Sequence, residues 1–280
     1  MTSPRRKASK AGGRTSTGGT AGAGGSLRLV EVTLENLDAT PRCGIKNKEH
    51  EGYRRKTSWL KRAMKQGLKA RVLLTEKSIQ CGYIEYTPGR YAWRGVEADG
   101  YMFIHCIWTF FKSVQGRGYA RRLIQDCVDD AKRAKMLGVA VIARDRSWLA
   151  DSRIFLKNGF EAVDAAPPDY QLLVKRFKKS APAPRFKGQW DKRLRKLGKG
   201  LTIIRADQCP HTAKFADEIA EMARTTYGIK PRTVELKTPR DARSAPTPYA
   251  TFAIVYDGQL LADHQISRAR FGNIMDKLLG

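Results

Sequence analysis

Nowhere in this 280-residue sequence is there an apolar run long enough to cross a bilayer, and the first residues lack the apolar centre of a secretory signal. The chain is therefore expected to be soluble and cytoplasmic, with no membrane partner. Cysteine is scarce and scattered: Cys43, Cys81, Cys106, Cys127 and Cys209 form no CxxC pair and show no zinc-ligand spacing. A disulfide framework and a metal centre are both excluded on that ground, and a reducing compartment fits. Acidic residues are few as well. With 27 Asp and Glu against 53 Lys and Arg, the formal net charge is +26. A field of that sign favours polyanionic company, whether nucleic acid or a phosphorylated ligand, although solubility alone also accounts for such charge. No internal repeat is visible, and the sequence sets no oligomeric state.

Residues 1–26 contain Gly, Ser, Thr, Ala and five basic residues with no acid, a composition that cannot bury a core and is expected to be a disordered basic tail. Ordered structure should begin with the alternating strand 27–37. A helix around 49–66 follows, with Tyr53, Trp59, Leu60 and Met64 as its apolar set, and then strands at 70–76 and 79–87. The run 101–111 is apolar at nearly every position and should be a central strand covered on both faces. Behind it, Leu123, Ile124, Cys127, Val128 and Ala131 recur at helical spacing. A short buried strand is expected at 139–144, a helix at 152–160 and a strand at 170–177. Residues 179–199 are strongly basic and open with Pro-Ala repeats, so they read as a linker carrying one short helix with Trp190, Leu194 and Leu197. Beyond it the order is strand, helix, strand, hairpin, helix, with Asp257-Gly258 as the hairpin turn.

The most informative segment is Gln115-Gly116-Arg117-Gly118-Tyr119-Ala120, between the central strand and an amphipathic helix. Glycines there let consecutive N–H groups converge, and the helix N-terminus adds its positive end, so a pyrophosphate can be held by backbone alone. The third glycine of a dinucleotide fingerprint and the Gly-Lys-Ser/Thr ending of a P-loop are both missing. The pattern Gln-x-x-Gly-x-Ala resembles motif A of the GNAT acetyltransferases. The element order over 27–178 is similar to that family, as is Phe155-Leu156-Lys157-Asn158-Gly159-Phe160, which looks like its "Tyr-x-Lys-x-Gly-Phe".

That resemblance implies acetyl-CoA as cosubstrate and transfer of its acetyl group to an amine. It implies that Trp108, Thr109 and Phe110 end a strand splayed from its neighbour, holding the pantetheine arm and polarising the acetyl carbonyl. Residues Gln115, Gly116, Arg117, Gly118, Tyr119 and Ala120 would hold the pyrophosphate, with Arg121 and Arg122 available for outer phosphates. Phe155 stands where many relatives keep a tyrosine acid, so either Tyr170 or Tyr119 substitutes or the thiolate leaves without a dedicated acid. The Asn that often precedes the family's last helix is absent, with Trp148 near its place. For the base, Glu85 and His105 are the candidates, with Glu97 and Asp99 nearby; a His in an apolar strand is also a common core residue.

Residues 200–280 resemble the thioredoxin and glutaredoxin fold, with Cys209-Pro210-His211-Thr212 opening a helix and Pro246 or Pro248 in the place of a cis-proline. Such a cysteine would have a lowered pKa, and Thr212 in place of a second cysteine leaves monothiol chemistry or a vestigial binding module. The whole resembles GNAT proteins with a YoaP-like C-terminal domain. The expected class is therefore α/β (α+β), a GNAT fold with a mixed central sheet followed by a small thioredoxin-like α/β domain. Monothiol redox activity at Cys209, or nucleic-acid binding through tail and linker, are the alternative functions.

Overall fold

The computed structural model describes residues 27–38, 40, 45, 47–109, 117–145 and 148–280. In chain order the elements are β1 (Arg28–Val32), α1 (Glu51–Met64), β2 (Lys69–Leu74), β3 (Gln80–Pro88), β4 (Val96–Glu97), β5 (Tyr101–Thr109), α2 (Tyr119–Arg133), β6 (Gly138–Ala143), α3 (Ser152–Leu156), β7 (Glu161–Ala166) and β8 (Tyr170–Arg176). There follow β9 (Arg185–Phe186), α4 (Trp190–Arg195), β10 (Leu201–Ala206), α5 (Thr212–Tyr227), β11 (Arg232–Leu236), α6 (Pro239–Ser244), β12 (Phe252–Tyr256), β13 (Gln259–Ala262) and α7 (Arg268–Leu279). The basic tail expected at 1–26 lies outside the described residues.

Seven strands form one mixed sheet in the order β1-β2-β3-β5-β6-β8-β7. A mixed central sheet is what the resemblance implied. Its neighbours are antiparallel except β5 and β6. Because successive side chains point to opposite faces, β5 feeds two cores. Met102 and Ile104 pack with Leu123, Ile124 and Val128 of α2, while Tyr101 and Phe103 pack on the other side with Ile203, Phe252 and Phe271. The near-continuous apolar run of β5 thus has the double cover its sequence demands.

Cover on the second face comes from α1 and from a four-stranded sheet ordered β11-β10-β12-β13. In it β10 and β11 are parallel, and β12 and β13 antiparallel. The turn between β12 and β13 places Asp257 and Gly258 both at positive φ, 49° and 75°, as a tight hairpin of primed type requires. Trp59 of α1 and Val72 of β2 share a core with Ile204, Ala206 and Ala253. The approach is close: a Cβ on Gly52 would lie 1.9 Å from the Pro210 carbonyl oxygen, so only glycine fits there.

Residues 179–199 depart from the linker expected of them. β9 pairs with β4, Arg185 meets Glu97 at 2.6 Å, and Arg193 donates to the carbonyls of Arg243 and Ala245 at 2.9 and 3.0 Å. Their basic side chains find acceptors on both halves, which composition alone does not reveal. β7 was also unforeseen, since EAVDAA carries no apolar alternation and serves as an edge strand. With shared cores and no slack connection, the chain should unfold in one calorimetric transition, and trypsin should not cut first within 179–199. Two separated transitions would contradict this packing.

Candidate functional site

β5 and β6 are hydrogen-bonded neighbours only from Tyr101↔Gly138 to Ile104↔Val141. Beyond that point β5 runs on to Thr109 and β6 to Ala143 without pairing to each other, so the two parallel strands part. A register shift between Glu85 and Tyr86 in the β3–β5 ladder leaves His105 as the extra residue of a bulge where the parting begins. A cavity of about 340 Å³ occupies the gap. Its walls are Ile104–Trp108 of β5, Val141 and Ile142 of β6, Trp148–Ala150, and the second sheet's Gln208–His211 and Tyr249. Trp148 is held there at a φ of 76°, its indole N–H donating to the Gln265 carbonyl at 3.0 Å.

The floor of the cavity is charged and buried. Lys56 lies in the apolar stripe of α1 beside Tyr53, Trp59 and Leu60, and its Nζ meets Glu85 Oε2 at 2.6 Å. The Tyr83 hydroxyl donates to the same oxygen at 2.7 Å, the Gln208 side-chain N–H donates to Glu85 Oε1, and Lys56 also donates to the Gln208 carbonyl. Arg94, 2% exposed, directs Nη1 at Thr251 Oγ1 (2.7 Å), Gln208 Oε1 (3.2 Å) and the Trp93 carbonyl (2.7 Å), and Nη2 at the His105 carbonyl (2.9 Å). All of these acceptors are neutral.

Of the expected acid–base residues, Glu85 faces this cavity, although its oxygens already accept from three side chains. His105 also lines it but is corrected as a base. Its Nε2 accepts from the Trp93 N–H at 2.9 Å, so the proton resides on Nδ1 and no lone pair is available. Burial, reinforced by the charges of Arg94 and Lys56, holds its pKa well below the usual histidine range. Tyr170 is corrected too. It is buried away from the cavity, where Arg144 donates to its hydroxyl at 3.1 Å and lies 4.6 Å above its ring, and burial followed by the Asp263 charge raises its pKa. Phe155 is a core residue against Phe160, and Glu97 pairs with Arg185 and Lys187 at β4.

Trp108 and Thr109 end β5 as expected; Phe110, Gln115 and Gly116 lie outside the described residues. Arg117 and Gly118 lead into α2, Tyr119 and Ala120 form its first turn, and Gly118 is the N-cap at φ 76°. Among the described residues, a Cβ there would meet no atom within 4 Å. Gly118, Arg121 and Arg122 border one shallow groove. A larger hollow of about 720 Å³, bordered by Trp190, Pro248, Leu260 and Arg270, touches neither the parted strands nor α2.

Cys209 requires the largest correction. It sits in the turn before α5, whose first residue is Thr212 and whose N-cap is His211, so Pro210 is not at the first helical position. Burial pushes the thiol up to about 11, outweighing a backbone hydrogen bond from His211. Gln265 Nε2 lies 3.5 Å from the sulfur. The peptide bonds before Pro246 and Pro248 are trans. Lys56, Arg94 and Gln208 were not foreseen; for Lys56 the signal was a cation within an apolar helical stripe, whereas nothing local marked Arg94 or Gln208.

With this geometry in place, comparison with known proteins adds a relative. The chain is similar to the "Uncharacterized N-acetyltransferase YoaP" of Bacillus subtilis (strain 168). The two are 29% identical over 253 residues, covering 89% of this chain and 98% of that protein. Residues 232–273 match the YoaP-like family model. Among solved structures, a GNAT-family acetyltransferase from Staphylococcus aureus Mu50 aligns with 55% of this chain and 100% of its own at 9% identity and a TM-score of 0.40. PaiA N-acetyltransferase from Thermoplasma acidophilum, in complex with coenzyme A, covers 54% of this chain and 99% of its own at 15% identity and a TM-score of 0.39.

Two results follow from the buried groups. Replacing Lys56 with Met strands the Glu85 carboxylate and should lower unfolding free energy by about 3–5 kcal/mol in urea titrations; a change under about 1 kcal/mol would show the pair to be dispensable. Iodoacetamide at pH 7 should label Cys209 at least about tenfold more slowly in the native than in the unfolded chain, because so little thiolate is present. Native labelling as fast as unfolded would contradict the raised thiol pKa.

Proposed function

We propose that the chain is an acetyl-CoA-dependent N-acyltransferase whose acetyl group lies in the gap between β5 and β6, with the amine entering the cavity beside it. The observation that carries this reading is the parting of the two parallel strands after Ile104 and Val141, on the strand that precedes α2 in the chain. Main-chain groups on the freed edge of β5 have no strand partner and are available to the pantetheine arm and the acetyl oxygen. The first-turn N–H groups of α2, with the bare N-cap Gly118 and the neighbouring Arg121 and Arg122, suit the pyrophosphate and outer phosphates. The name of the B. subtilis relative, similar over nearly its entire length, supports the same activity.

In the reaction the incoming ammonium gives one proton to a base, the neutral amine nitrogen attacks the thioester carbon, the C–S bond breaks, and CoA leaves as the thiol after its sulfur takes the second N–H proton. Glu85 is the carboxylate that lines the cavity among the described residues, and we assign it the first proton. An incoming ammonium would replace one of its present donors. The acetyltransferase unit is assigned to 27–178. The order β11-β10-β12-β13, with β10 and β11 parallel and a helix after each, supports a thioredoxin-like reading of 200–280. That unit contributes a wall to the cavity in place of thiol chemistry.

Changing Gly118 to Val forces a β-branched side chain into positive φ and toward the phosphates. Calorimetric titration should show acetyl-CoA affinity falling at least about tenfold, roughly 1.4 kcal/mol, in protein whose circular dichroism is unchanged. Undiminished affinity in the folded variant would remove the phosphate assignment.

A further inference from the structure

The proposed acceptor cavity holds two buried groups of opposite charge joined by one neutral amide. Gln208 donates from Nε2 to Glu85 Oε1, and its Oε1 accepts from Arg94 Nη1 at 3.2 Å. A carboxylate and a guanidinium therefore stand a carboxamide's width apart, both on the same cavity. We propose that the acceptor is a small α-amino acid, its ammonium directed at Glu85 and its carboxylate at Arg94. This rests on the transferase reading above.

Three observations lead there. The charges on the floor do not cancel: Lys56 neutralises Glu85, while the hydrogen-bond acceptors of Arg94 are all neutral and no carboxylate pairs with it among the described residues. A guanidinium 2% exposed without a counter-ion is costly, and an anionic ligand group relieves that cost. Arg94 Nε makes no hydrogen bond among the described residues, so a donor remains for a carboxylate oxygen.

The second observation is polarity. An α-amino acid presents a donor group and an acceptor group on adjacent atoms, the same order in which the Gln208 amide meets Glu85 and Arg94. A simple amine satisfies only the Glu85 side. A peptide N-terminus brings a neutral carbonyl where a full negative charge is favoured.

Size and lining are the third. About 340 Å³ is at the small end for ligand cavities and is shared with the acetyl end of the donor, which leaves room for an acceptor no larger than a single residue. Above the charged floor the walls are Ile104, Ile107, Ile142, Leu149, Trp148 and Tyr249, which favour an apolar or aromatic side chain.

The test uses the full chain. Acetyl-CoA binding is measured first by calorimetry. Binding of L-leucine and L-phenylalanine to the CoA-loaded protein is then compared with that of their amides and of the corresponding decarboxylated amines. At least one of the two amino acids should bind about tenfold or more tighter than both its amide and its amine. Arg94→Met, checked for retained acetyl-CoA affinity, should erase that preference; should the variant not fold, the wild-type ranking decides. Equal or tighter binding of the amides or amines, or no binding of any of the six compounds, overturns the amino-acid assignment. Amino-acid binding by a protein that does not bind acetyl-CoA would keep the site and remove the transferase reading instead.

Discussion

The buried polar network running from Lys56 through Glu85 and Gln208 to Arg94 and Thr251 is the constraint on which the rest of the molecule depends. Each member comes from a different part of the chain: α1, β3, the turn after β10, the segment before β4, and the loop before β12. Charges removed from water are tolerated only where partners are held in register. The two sheets must therefore dock in one orientation, with little freedom to slide. A purely apolar contact between them would stabilise the association without fixing it as tightly.

That docking decides what the second unit does. Its turn at 207–211 is pressed against α1, close enough that Gly52 admits no side chain, and Cys209 is carried into the cavity wall. A thiol at an open helix N-terminus would be acidified; here desolvation wins and the thiol stays protonated. Gln208, Cys209, Pro210 and His211 thus become part of the cavity wall. The mixed sheet supplies the parted strands, and the second sheet supplies Gln208 and Tyr249 opposite them.

Much of the fold was legible because it rests on periodicity. The double-faced apolar run of β5, the helical spacing of Leu123 to Ala131, and the Asp257-Gly258 turn are local signals, and each marks its element. β7 and α6 lack such signals: the first is an edge strand of small and acidic residues, the second a short turn of helix fixed by the Thr238 capping box. The site was harder to read. Motif A pointed to the start of α2, but the residues that make the cavity floor meet only through tertiary packing. Lys56 could have been suspected from its place in an apolar stripe. Arg94 sits in a stretch with no periodicity, and Gln208 follows a strand without any mark of its own. His105 and Tyr170 were named for their chemistry, whereas their hydrogen bonds commit one to Trp93 and the other to Arg144. The linker was misread because a basic composition describes solvation and says nothing of the acceptors a neighbouring surface offers.

On the proposed reading, donor and acceptor meet in a cavity walled by both sheets. A crystal structure of the full chain with a non-hydrolysable acetyl-CoA analogue tests it most directly. The acetyl end should lie between β5 and β6 past Ile104 and Val141, within contact of the Cys209 or Tyr249 side chain. An analogue whose acetyl end lay in the hollow beside Trp190 and Leu260, or outside the parted strands, would contradict it.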